Sequence, residues 1–119
     1  FGKQLLPATP ANVAQANRFL DKLKLGDGTN VEGALVRALS MRGVNVVVLI
    51  TDGVPNYGEQ DFDKLAVRVR ALNTQKARIF TVGLVGKNPD GSDDSFLATR
   101  LLENIAAQNG GEFKLVKTE

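Results

Sequence analysis

Apolar positions along the chain change period several times, and each change marks an element. In "ANVAQANRFLDKLKL" the residues Val13, Ala16, Phe19 or Leu20, and Leu23 recur at helical spacing. Thr9 reads as the N-cap of that helix, with Pro10 at its first position and Gly26 as its stop. Ahead of it, Phe1 to Leu6 reads as the end of a strand or a hairpin arm, broken by Pro7 and Pro10. In "GDGTNVEGALVRALSM" Thr29 or Asn30 caps a second helix striped by Val31, Ala34, Leu35, Ala38 and Leu39.

The pattern then turns continuous. "RGVNVVVLITDG" has no polar alternation, which predicts a strand buried on both faces. "GEQDFDKLAVRVRALNTQ" returns to helical spacing through Phe62, Leu65, Ala66, Val69 and Leu72. "ARIFTVGLVG" is a second buried strand, and "SFLATRLLENIAAQNGG" a helix closed by Gly110-Gly111. "EFKLVK" alternates like a strand at a sheet edge. Strands alternating with helices predict an α/β fold, a parallel sheet with helices on both faces.

Composition removes several chemistries. The chain has 119 residues, 43% of them hydrophobic, which suits one small domain with a single core. A net charge of +2, six Phe, one Tyr and no Trp argue against a nucleic-acid surface. There is no Cys, hence no disulfide, thiolate nucleophile or sulfur ligand, and no His to serve as general base. Any bound metal would sit among oxygens, which favours Mg²⁺, Mn²⁺ or Ca²⁺. The longest apolar run is too short to span a bilayer, so no membrane insertion is expected in this segment.

Charge is unevenly placed along the predicted sheet. Asp27, Asp52, Glu59, Asp61, Asp63, Asp90, Asp93 and Asp94 fall in or just after loops at the carboxyl ends of the strands, opposed only by Lys87. Such ends are where ligands bind in open α/β sheets. Bases such as Arg42 and Arg78 lie near strand starts instead. Helix starts attract carboxylates in any case, which accounts for much of this rim. Asp52 stands apart, at the tip of the longest apolar run.

"GDGTNVEGALVRAL" followed by "VNVVVLITDGVPN" resembles the second half of a von Willebrand factor A (VWA) domain, with Gly28-Thr29-Asn30 and Thr51-Asp52-Gly53 matching two of its loops. "RIFTVGLVG" and "LLENIAAQNGGEFKLV" are similar to that family's last strand–helix–strand unit, and "LLPATPANVAQANRFLDKL" to the lead-in of a bacterial branch. The resemblance implies a Rossmann-like sheet of order 3-2-1-4-5-6. The chain would supply the last three strands, at Val44–Thr51, Arg78–Val85 and Glu112–Lys117, with four helices. It also implies a non-enzymatic, adhesion-type protein-binding module carrying a metal-ion-dependent adhesion site at the strand ends. Thr29 takes the role of the hydroxyl ligand and Asp52 that of the carboxylate ligand. Gly28, Asn30, Gly53, Val54 and Tyr57 are expected around the bound ligand, an acidic side chain of a protein partner. The resemblance favours the cell envelope or extracellular space.

The family's Asp-x-Ser-x-Ser motif has no counterpart after a first strand here. Residues 1–119 therefore read as a single partial, truncated VWA-like domain lacking the first strand and helix, with the metal site incomplete. The cation would be Mg²⁺ or Mn²⁺, with Ca²⁺ a further candidate, in the complete domain, and this chain alone would bind it feebly or not at all. The edge of Val46–Ile50 would be left open to self-association or strand exchange.

Other readings draw on the same residues. "NPDGSDDS" alternates Asp90, Ser92 and Asp94, but Ser95 and Leu101 stand where a Ca²⁺ loop needs Gly and Glu, so it reads as a solvated loop. A receiver-like phosphoacceptor domain would use Asp52 with Thr81 and Lys114, but it needs an acidic pair after its first strand that is lacking here. No Walker loop or Gly-x-Gly-x-x-Gly follows a strand, although "GDGTN" could hold an anion on its backbone amides.

Overall fold

The computed structural model describes residues 1–52, 54–86 and 95–117, of which residues 95–97 by their backbone alone. Pro10 fixes the first turn of α1 (Pro10–Asp21), whose N-cap Thr9 accepts the Asn12 N–H at 3.2 Å. Then follow α2 (Val31–Leu39), β1 (Val46–Thr51), α3 (Phe62–Leu72), β2 (Arg78–Val85), α4 (Ser95–Gln108) and β3 (Phe113–Lys117). Gly110, at φ +68°, ends the helical path, and the Gly111 N–H returns to the Ala106 carbonyl at 3.0 Å.

The three strands form one parallel sheet in the order β1-β2-β3. Val46 pairs with Arg78 and Thr51 with Gly83, while Thr81 pairs with Phe113. Among the described residues β1 is an edge. The α/β class with a parallel sheet therefore stands.

The distribution of helices differs from the expectation. β1 alternates: Val47 and Leu49 are buried, whereas Val48 is 57% and Ile50 60% exposed. Its continuous apolar run is thus covered on one face only. The reason is topological. The strands step in one direction, and right-handed crossovers in one direction bring successive helices to the same face. α4 lies on β2 and β3, α2 on β1, and α3 between those two helices. Leu35, Leu65, Ile79, Leu101, Leu102 and Ile105 close the single core there. The opposite face presents Val46, Val48 and Ile50 beside half-buried Phe80, Val82 and Leu84.

α1 buries no residue, so its apolar stripe is left without a core to join. It also ends at Asp21, short of the Gly26 stop, because a short helix without tertiary packing does not hold its last turn. The amino-terminal strand or hairpin arm does not form. Phe1 instead tilts against Phe19, with ring centroids 5.7 Å apart. Among the described residues no helix is long and apolar enough to cross a membrane.

Candidate functional site

Asp52 is the first residue beyond β1, and it is exposed at the carboxyl rim of the sheet. Thr29 reaches the same rim from the other side, through the loop that enters α2. Of the two cap candidates it is Asn30 that caps, its side chain accepting the Gly33 N–H at 2.7 Å. That leaves Thr29 with another role. Its N–H donates to Asn56 Oδ1 at 2.8 Å, and its carbonyl accepts the N–H groups of Asn56 at 3.0 Å and Tyr57 at 3.2 Å. Three hydrogen bonds therefore fasten the Thr29 loop to the loop that leaves β1.

Glycines permit this close approach. A Cβ on Gly28 would enter the Tyr57 ring and meet Asn56 Oδ1 at 2.6 Å. Gly58, at φ +70°, lies so near Asn30 and Glu32 that a Cβ would come within 2.8 Å of both side-chain oxygens. Glu32 completes the joint. Its Oε2 accepts the Glu59 N–H at 2.6 Å and its Oε1 meets Arg68 Nε at 2.7 Å, with only 14% of the side chain exposed. Asn56 and Glu32 were not among the expected site residues. The one signal for Glu32 was an acid in the first turn of a helix, a common feature.

Several rim carboxylates have ordinary structural roles. Asp61 caps α3 by accepting the Lys64 N–H at 3.0 Å, Glu59 accepts the Asp61 N–H at 3.0 Å, and Asp63 lies 4.0 Å from Arg100. Among the described residues no three Asp, Glu, His or Cys side chains converge on a metal position. Gly53 and residues 88–94 of "NPDGSDDS" lie outside the described residues.

A small cleft of about 30 Å³ opens beside Asp52, lined by Thr51, Val54, Gly83 and, from α4, Ala98 and Thr99. That is room for a water-sized guest. Half-buried Val54 belongs to this cleft, while Tyr57 stands 55% exposed over the Gly28 loop. Thr99 is a rim hydroxyl that sequence spacing gave no reason to select. Among the described residues, the oxygen-bearing side chains that line this cleft are the Thr51 and Thr99 hydroxyls and the Asp52 carboxylate. Such a set fits a hard cation that keeps most of its water, but it is too small to hold one tightly.

The phosphoacceptor geometry is not assembled. Thr81 is fully buried and donates its hydroxyl to the Leu102 carbonyl at 2.8 Å, two register steps before the end of the β1–β2 pairing. Lys114 pairs with Val82 on the edge strand β3, three residues before that strand ends at Lys117.

No protein-family model matches the chain. It is similar to inter-alpha-trypsin inhibitor heavy chain H3 of Bos taurus, 30% identical over 119 residues, which covers 90% of this chain and 12% of that protein. The Homo sapiens H3 chain is 29% identical, covering 92% of this chain and 13% of the relative. Homo sapiens heavy chain H2 is 29% identical over 92 residues, covering 67% and 10%. The chain thus spans about an eighth of the length of the relatives it matches. These heavy chains contain VWA domains.

Proposed function

Because this chain is a VWA-type α/β segment homologous to part of the inter-alpha-trypsin inhibitor heavy chains, we propose that it serves as a non-enzymatic, adhesion-type protein-binding module. Its working end is the carboxyl rim of the sheet. Thr29 and Asp52 supply the hydroxyl and the carboxylate of a divalent-cation site, with Mg²⁺ or Mn²⁺ as the ion. Water and further oxygens complete the shell, and one open position accepts an acidic side chain of the partner. A cation held mainly by neutral oxygens keeps enough charge to attract that carboxylate.

One observation carries this reading: the three hydrogen bonds that Thr29 makes with the Asn56 side chain and the Asn56 and Tyr57 backbone N–H groups, which fasten its loop to the loop that leaves β1. A partial domain also accounts for the bare face and open edge of β1, onto which a further strand would pair.

The test is capture of a short aspartate-bearing peptide, compared with its asparagine counterpart. In Mn²⁺ the aspartate peptide is expected to bind weakly but saturably. Binding should vanish with EDTA and fall at least about tenfold, some 1.4 kcal/mol, in Asp52→Ala. Capture that ignores the cation, or that does not distinguish the two peptides, would refute the reading.

A further inference from the structure

The amino-terminal end of the sheet carries the opposite charge from the rim just described. A cleft of about 310 Å³ lies there between the ends of α3 and α4, lined by Arg70, Asn73, Lys76, Arg78, Gln108 and Gly110 among others. Its lining has three cations and no carboxylate. Glu112, the nearest acid along the chain, is not part of it. The ion pairs found among the described residues use Arg68 and Arg100 and none of these three cations.

The floor of the cleft is rigid. Asn73 donates to the Ala77 carbonyl at 2.7 Å and to Asn109 Oδ1 at 3.0 Å, and accepts the Ala77 N–H at 2.8 Å. Asn109 in turn donates to the Ile105 carbonyl at 2.8 Å. These bonds lock the α3–β2 loop against the end of α4. Arg78 is held with its guanidinium 5.6 Å from the Phe80 ring centroid. Lys76 stands at φ +57°, the one non-glycine with positive φ among the described residues.

Helix ends explain part of this charge. Arg70 is in the last turn of α3, where a cation complements the terminal carbonyls. Lys76 and Arg78 lie beyond both helices, so the dipoles give no reason for a second and third cation in the same cleft. Holding Lys76 in the left-handed region also works against the fold, since a glycine there would be unstrained. Like charges gathered on a fixed floor are arranged for a multivalent anion.

We infer that this cleft is an oxyanion site, taking a tetrahedral dianion of the sulfate or phosphate type through Arg70, Lys76 and Arg78. It lies at the opposite end of the sheet from Asp52, so it stands or falls independently of the cation-site reading.

The position of Lys76 makes the test clean. Lys76→Gly removes a cation and relieves its backbone, so the variant is expected to fold at least as well as the parent. Sulfate and inorganic phosphate are titrated separately, with chloride keeping ionic strength constant, while amide chemical shifts are followed. The amides of Lys76, Ala77 and Gly110 should shift saturably, and the anion that saturates at lower concentration identifies the preferred type. Affinity should fall at least about tenfold in Lys76→Gly and in Arg78→Gln, the loss of one charge-assisted contact. Shifts no larger than those produced by chloride, or affinity unchanged in Lys76→Gly, would overturn the proposal. If Arg78→Gln fails to fold, Lys76→Gly alone decides.

Discussion

Gly111→Ala is expected to leave the chain largely unfolded. A Cβ at this position would fall on the carbonyl group of Ile79 and lie 3.0 Å from the Phe80 nitrogen. These are backbone atoms of β2, the central strand, fixed by pairing on both sides. No side-chain rotation can relieve the overlap. Either β3 must move away from β2 or the turn after α4 must open, and each breaks backbone hydrogen bonds. Gly111 donates to Ala106, Asn109 accepts from Ile79, and Glu112 accepts from Thr81.

Losses above about 4 kcal/mol are exceptional for point substitutions, and this overlap belongs in that class. Against a domain stability of about 5–15 kcal/mol, it removes most of the margin. Guanidinium unfolding should show a severe drop in midpoint or no cooperative transition at all. Gly26→Ala is the control, since nothing lies within 4 Å of its Cβ position, and it should change little. Equal midpoints for the two variants would mean that β3 does not pair as described.

The second large effect concerns association. Among the described residues β1 has a neighbour on one side only, and its outward residues Val46, Val48 and Ile50 are 42%, 57% and 60% exposed. A bare apolar edge of this kind templates pairing with another chain. The sedimentation coefficient of the chain should therefore rise with concentration. Val48→Lys should abolish that rise, as edge lysines do in natural sheets. Because Val48 faces solvent, the same variant should unfold within about 0.5 kcal/mol of the parent. A parent chain that stays monomeric across a hundredfold concentration range would show that the edge does not associate.

Much of the fold was legible because the periods were clean. The strand expected at Arg78–Val85 forms over those residues, and those expected at Val44–Thr51 and Glu112–Lys117 form from Val46 and Phe113. Helix ends were readable where a local rule governs them, as with Thr9, Pro10 and Gly110. The errors came where tertiary context decides. The run of Val46–Ile50 looks the same whether one face or two are covered. The stripe of α1 is a helix signal whether or not a core receives it.

The candidate site divides in the same way. Asp52 was visible because an acid at the tip of an apolar run is a local pattern. Glu32 was not, because its partners, Glu59 and Arg68, become neighbours only once α3 has crossed over the sheet. The fastening of Thr29 to Asn56 spans 27 residues and has no periodic signature. Thr99 likewise reaches the rim only through the placement of α4 on β2.

We propose a single cation position served by Thr29 and Asp52. Its most direct test is paramagnetic broadening of amide signals by Mn²⁺, which registers even feeble binding. The amides of Thr29, Asn30 and Asp52 should broaden together in the parent and remain sharp in Asp52→Ala. Broadening that spares Thr29, centres on Asp61 and Asp63, or persists in Asp52→Ala would contradict it.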